Sequence, residues 1–309
     1  MDNTRAMTET FTIAQLSDPH LSSLDSVRAR DLLSKRVLGY LSWRFNRRAK
    51  YLPEILAELV RDLQLQQPDH TVVTGDLTQI GLPHEFQEAK HWLDALGAPS
   101  EVTVIPGNHD AYVVTNWDDT LALWASYIQS DIAGESGERE ACFPSVRIRG
   151  SVALIGLSTA RPSAPFLAIG SIGHSQLQAL ERILGETGER SLFRVILLHH
   201  PPIPGTVPWR MRLTDHAAFR SVIGRCGAEL VLHGHGHRSS IRAMVIQGRT
   251  VPTIGVPAAS ATSHDPDRRA QYHLYRLIRQ ASTWNVQLSV RGYSHAERRF
   301  VELGSPVEI

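Results

Sequence analysis

Short apolar runs alternate with amphipathic stretches along most of the chain. FTIAQLSD at 11–18, DHTVVTGD at 69–76, EVTVIPGNHD at 101–110, FRVILLHH at 193–200 and ELVLH at 229–233 are apolar runs bounded by polar and turn residues, and read as buried strands. Between them, residues 51–66, 84–96, 117–130, 174–186 and 214–224 show the helical period, with apolar positions recurring on one face. FPSVRIRGSVALIGLST reads as two strands around a turn at Arg149 and Gly150. Beyond residue 239 the pattern turns β-rich, with SIRAMVIQGRTVPTIGVPAAS, AQYHLYRLIRQ and TWNVQLSVRGY. This order predicts an α/β protein, a four-layer α/β/β/α sandwich of two mixed sheets with helices outside, closed by the C-terminal strands. The expected organisation is a flexible N-terminus at 1–10, one domain over 11–295 and a tail at 296–309. The polar loop DIAGESGERE at 131–140 is expected to be mobile.

Composition narrows the picture by exclusion. The 309 residues are 42% hydrophobic and 20% charged, and 32 basic against 31 acidic side chains leave a formal charge of +1. No global pull toward nucleic acid or membrane follows from that balance. Cys142 and Cys226 form no CxxC pair, so two reduced thiols are expected rather than a disulfide framework. The first ten residues lack the basic and apolar regions of a signal peptide, and no apolar run reaches membrane-spanning length. A cytoplasmic protein is the expectation.

The chemistry collects where apolar runs end. They close on SDPH (Asp18, His20), GDLT (Asp76), GNHD (Asn108, His109, Asp110), HHPP (His199, His200) and HGHGH (His233, His235, His237). In open α/β folds, side chains at the carboxyl ends of neighbouring strands converge on one crevice. Imidazole, carboxylate and amide oxygen without thiolate suit Mn, Fe or Zn. A pH-sensitive histidine cluster, or polar residues merely closing strands, remain alternatives for each motif taken singly. Extended alternation would put Asp18 and His20 on one side, and likewise His235 and His237. Glycines 75, 107, 234 and 236 would admit sharp turns.

Taken together, SDPH, GDLT, GNHD, HH and GHGH resemble the calcineurin-like metallophosphoesterase superfamily, over about residues 11–240. In appearance the chain is nearest the bacterial branch of cyclic-nucleotide and glycerophosphodiester phosphodiesterases. The resemblance implies that one metal takes Asp18, His20, Asp76 and His237, and a second takes Asp76, Asn108, His199 and His235, with Asp76 bridging. It selects His199 over His200 by position relative to Pro201. It also implies hydrolysis of a phosphoester by a hydroxide activated at a dinuclear centre, with His109 and Asp76 as the catalytic side chains and His109 protonating the leaving group. Phosphodiesters are the expected substrates. A phosphomonoesterase or lipid-linked (pyro)phosphate hydrolase is the alternative, ahead of a nuclease or a non-catalytic binding module.

Two peripheral segments offer substrate contacts. Residues 28–50, RARDLLSKRVLGYLSWRFNRRAK, carry eight basic residues and one acidic, interleaved with aromatics. Following the Asp18/His20 strand, the segment could cap the site, with Tyr40 and Trp43 stacking on an organic group. Peripheral contact with an anionic membrane is a further reading, although its apolar residues form no single clean stripe. The second segment, PPIPGTVPWRMRLTD at 201–215, brings Trp209, Arg210 and Arg212 toward the rim. Arg161 and His200 complete the candidate set. The partner expected is a small phosphate ester. No extended nucleic-acid surface is expected, and oligomeric state is left open.

Overall fold

A computed structural model describes residues 9–131, 142–281 and 283–309. Residues 1–8 of the flexible N-terminus expected at 1–10, and 132–140 of the 131–140 loop, lie outside the described residues. The strands are β1 (Glu9–Leu16), β2 (His70–Val73), β3 (Val102–Val104), β4 (Ser145–Arg149), β5 (Val152–Gly156), β6 (Phe193–Leu197) and β7 (Leu230–His233). They continue with β8 (Ser240–Ile246), β9 (Arg249–Gly255), β10 (Gln271–Gln280), β11 (Thr283–Ser294), β12 (Arg299–Glu302) and β13 (Val307–Glu308). The helices are α1 (Arg36–Ser42), α2 (Pro53–Gln66), α3 (Pro83–Leu96), the single turn α4 (Ala125–Ile128), α5 (His174–Glu189) and α6 (His216–Cys226).

Two mixed sheets result. One runs β12-β11-β10-β1-β2-β3 with β13 against β11, and the other runs β4-β5-β6-β7-β9-β8. Their facing sides share a core that includes Ile13, Val72, Val195, Leu197, Leu232 and Tyr275. On the outer side of the first sheet, α2 and α3 bury Leu56, Leu59, Phe86 and Leu93. On the outer side of the second, α5 and α6 bury Leu180, Leu184, Phe219 and Ile223. Each helix hides one apolar stripe and each central strand is hydrophobic on both faces, which is why four layers form. The four-layer α/β/β/α expectation therefore holds.

Three local expectations need correction. The helix expected over 117–130 is a 3₁₀ turn at Leu121–Trp124 followed by α4. Trp124, fully buried with Nε1–H donating to the Phe86 carbonyl (3.0 Å), ties that segment down in place of a longer helix. The stretch expected as a tail, 296–309, supplies β12 and β13, both paired with β11. Glu9 and Thr10, assigned to a flexible terminus, already pair with Arg279 and Ile278. Nor do the C-terminal strands merely close the sandwich. β10 lies beside β1 in the middle of its sheet, in register from Glu9–Arg279 to Gln15–His273. Among the described residues no helix is long and apolar enough to cross a membrane.

Candidate metal centre and substrate cavity

In the parallel core β1, β2 and β3 run side by side, as do β5, β6 and β7, so their carboxyl ends open on one edge. Asp18 and His20 follow β1, Asp76 follows β2, Asn108 and His109 follow β3, His199 follows β6, and His235 and His237 follow β7. Ligand atoms of Asp18, His20, Asp76 and His237 lie within 4.8 Å of one another, as do those of Asp76, His199 and His235. Asp76 belongs to both groups. The Asn108 amide oxygen stands 3.2 Å from His199 Nε2, which is 3.3 Å from an Asp76 oxygen.

Convergence does not come from extended alternation. Asp18, His20, Asp76, His235 and His237 all occupy the left-handed backbone region, with φ of 51°, 45°, 58°, 65° and 46°. Non-glycine residues rarely adopt it, and such strain gathers at functional sites. Surrounding hydrogen bonds hold it in place. Asp110 accepts from the backbone N–H of Asp76, Thr78 and Gly107, each at 2.9 Å. The His235 N–H donates to Asp18 Oδ2 (3.0 Å) and the His109 N–H to Asp76 Oδ1 (2.7 Å). Gly107 is required by closeness, since a Cβ there would fall 2.2 Å from Asp76 Oδ1. Gly236, by contrast, has ordinary room around it.

Each histidine in the two groups has one ring nitrogen anchored outside them. His20 Nδ1 meets the Thr78 carbonyl (3.2 Å), His199 Nδ1 the Thr74 carbonyl (2.7 Å), and His235 Nε2 the Met211 carbonyl (2.9 Å). His237 Nδ1 meets the Tyr51 hydroxyl (2.8 Å). A ring nitrogen that donates to a carbonyl leaves the other as a lone pair, the arrangement metal-binding histidines use. Those remaining nitrogens crowd against acceptors. His20 Nε2 and His237 Nε2 are 3.4 Å apart, and His237 Nε2 is 3.0 Å from Asp18 Oδ1, a buried oxygen without a hydrogen-bond donor. Such a set calls for positive charge among its members, and the residues fit a pair of divalent ions.

The electrostatics agree. Burial opposes ionisation of Asp18 and Asp76, but His237 and His199 outweigh it and hold both carboxyls below the usual range. His199 is raised to about 9, the Asp76 carboxylate overcoming burial, while burial lowers His20 to about 4 and His235 to about 3.

Asp76 and His237 of the first group, Asp76 and His235 of the second, and Asn108 line a cavity of about 880 Å³. Its walls bring Lys35, Arg47, Arg210, Arg238, Arg242 and Arg268 around a single carboxylate, Asp76. His109 is on this wall, with Nδ1–H donating to the Gln79 carbonyl (2.5 Å) and Nε2 accepting from Arg47 (3.0 Å). Burial first, then Arg47, pushes the His109 pKa well down, not near the ordinary histidine value that the sequence reading assumed.

Several candidate substrate contacts are not brought to the cavity. Trp43 is buried with Leu24, Ile80 and Leu82, and Tyr40 packs on it at 5.9 Å, so both serve the core of the 28–50 segment. His200 is fully buried, with Nδ1 at Thr159 Oγ1 (2.7 Å) and Nε2 at the Ala168 carbonyl (3.2 Å). Arg161 donates to the Ser171 carbonyl (3.3 Å) and Arg212 folds over Trp209, while Trp209 itself is exposed. Arg210 alone of that set lines the cavity. Sequence reasoning missed Arg47 and Tyr51. Arg47 was one of eight basic residues in the segment with nothing to mark it as the one turned inward, and Tyr51 carries no motif.

The Calcineurin-like phosphoesterase sequence profile matches residues 11–239, the span that carries every member of the two groups. The chain belongs to the calcineurin-like phosphoesterase family. Among its relatives, a probable cyclic nucleotide phosphodiesterase of Synechococcus is 29% identical over 75% of this chain and 80% of its own length. The glycerophosphodiester phosphodiesterase GpdQ of Enterobacter lignolyticus is 47% identical over 45 residues, 15% of this chain and 16% of that protein. In fold, the chain resembles a dimetal phosphatase from Danio rerio, with a TM-score of 0.58 and 15% identity, over 94% of this chain and 98% of the other.

Proposed function

We propose that this phosphoesterase hydrolyses phosphodiesters with two divalent ions, Mn, Fe or Zn, the first held by Asp18, His20, Asp76 and His237 and the second by Asp76, Asn108, His199 and His235. The observation that carries this reading is the pair of ligand groups sharing Asp76 beneath a cavity walled by six cationic side chains. Bound there, the ions supply an activated water nucleophile and neutralise charge developing on the phosphate oxygens. Lys35, Arg47 and Arg210 attract and orient the anion from the walls. His109 Nδ1–H is committed to the Gln79 carbonyl and the His109 pKa is pushed well down, so Nε2 holds a lone pair; once phosphate draws Arg47 away, Nε2 takes a proton from solvent and passes it to the departing oxygen. Arg47 donates to that same Nε2 and lines the cavity, within reach of an entering phosphate.

Diester preference is supported by the room for two organic arms in about 880 Å³ and by the phosphodiesterase names of the Synechococcus and Enterobacter relatives. The test is a parallel rate measurement on protein reconstituted with Mn, comparing a bis-aryl phosphate with its matching monoester. A higher kcat/KM for the diester is expected. A monoester preference would overturn the diester assignment, and turnover without added metal after exhaustive chelation would overturn the metal assignment.

A further inference from the structure

The segment 28–50 has three faces, and only two are used within the molecule. Gly39 and Trp43 are buried inward, with Tyr40 packed on the same cluster as Ile80 and Leu82. Lys35, Leu38 and Ser42 turn to the catalytic cavity. On the third face Leu33, Val37, Leu41 and Phe45 are 85%, 42%, 44% and 77% exposed. Val37 and Leu41 lie four apart on α1 and Phe45 continues their row on the π-helical turn Trp43–Arg47 that extends it, while Leu33 precedes the helix at the end of the 3₁₀ turn Ala29–Leu32. The sequence showed no clean stripe because residues of all three faces were read together. Once those facing the core and cavity are removed, a continuous apolar row remains.

A row of this kind left in water marks a contact surface. Of the eight basic residues of the segment, Arg28, Arg30, Arg44, Arg48 and Lys50 are exposed, Arg48 pairing with Asp25 at 2.9 Å, whereas Lys35 and Arg47 turn to the cavity and Arg36 donates to the Ile80 and Gly81 carbonyls. The row is joined to a second exposed aromatic. Lys35 Nζ donates to Ser163 Oγ (3.1 Å), and the loop beyond it carries Phe166, 83% exposed on the cavity rim.

We propose that this face docks the protein on an anionic phospholipid surface. Apolar side chains enter the headgroup boundary while the exposed Arg44 and the basic residues at the two ends of the segment meet lipid phosphates. A second copy of the chain is disfavoured as occupant, since a two-fold contact would press the same basic segment against itself. The inference does not depend on diester chemistry.

The full-length protein is floated with vesicles of phosphatidylcholine alone and of an equal mixture of phosphatidylcholine and phosphatidylglycerol. Binding to the mixed vesicles only, weakened by salt, is expected. The combined substitutions Val37→Ser, Leu41→Ser and Phe45→Ser, and separately Arg44→Glu, should weaken it about tenfold or more. Thermal unfolding and turnover of a soluble diester should match the parent. If the protein fails to float with the mixed vesicles, or the triple variant floats equally well, the proposal is overturned. A dimer seen by sedimentation and abolished by the triple variant would overturn it in favour of self-association. Vesicle binding is read without turnover, so its outcome is independent of the diesterase assignment.

Discussion

Replacing Tyr51 by Phe should loosen one metal position and spare the other. The hydroxyl lies 2.8 Å from His237 Nδ1, and His237 belongs only to the group with Asp18, His20 and Asp76. The aromatic ring, which packs 4.7 Å from the His20 ring, is retained, so the substitution deletes one oxygen without opening a hole. A single neutral hydrogen bond is worth roughly 0.5–1.5 kcal/mol net, or about 2–10-fold in affinity. Because this one also sets which nitrogen of a ligand histidine carries the proton, the upper end applies, and outer-shell losses at metal sites run about 10–100-fold. We expect one of two calorimetric metal-binding steps to weaken about tenfold, with the other step and the unfolding temperature unchanged. Two unchanged steps, or two steps weakened alike, would refute the role assigned to Tyr51 and the division of ligands between the positions.

Other consequences are testable on the same protein. Asp76→Asn should weaken both binding steps and lower turnover roughly 100-fold or more, because the shared carboxylate is lost to both positions. His109→Ala should keep metal content, measured by atomic emission, while kcat falls roughly 10²–10⁴-fold; unchanged turnover would remove it from the chemistry. Asp62→Ala should destabilise the fold by about 3 kcal/mol in urea titrations. Asp62 joins α2 to the first sheet by accepting from Arg291 at 2.5 and 2.8 Å and from the Tyr272 hydroxyl at 2.5 Å, and its loss leaves the guanidinium unpaired. Stability should also fall on acidification. Burial lowers His70 to about 3, so below the unfolded value of 6.5 the unfolded chain takes a proton that the native state refuses until about pH 3. Between pH 7 and 5 the His70→Gln variant should lose about 1–2 kcal/mol less than the parent, and an identical pH dependence would contradict this.

The metal groups were legible because their chemistry is written in residue types at a recurring place, the polar end of an apolar run. SDPH, GDLT, GNHD, HH and GHGH need only a parallel core to bring them together, and the runs themselves predict that core. What supports the site was less legible. The carbonyls of Thr74, Thr78, Gln79 and Met211 orient the imidazoles, and every residue owns a carbonyl, so nothing in the sequence distinguishes these four. Trp43 and Tyr40 misled for a related reason. An aromatic next to arginines suits stacking on a ligand or packing in a core, and only the position of Leu24 and Ile80 decides between them.

By itself, then, the sequence determined the layer order and the ligand chemistry, because hydrophobic period and side-chain type are local properties. Tertiary structure decided the rest. It set five residues of the two candidate groups in the left-handed backbone region, where extended alternation had been expected, and held them there by contacts from distant segments, as in the Asp110 bonds and the His235–Asp18 bond. It also placed β10 beside β1 and turned Arg47 inward toward His109 while leaving Phe45 outside. Which face of a short helix is buried depends on what the rest of the chain brings against it. That choice is made by packing between residues far apart in sequence, and no local pattern encodes it.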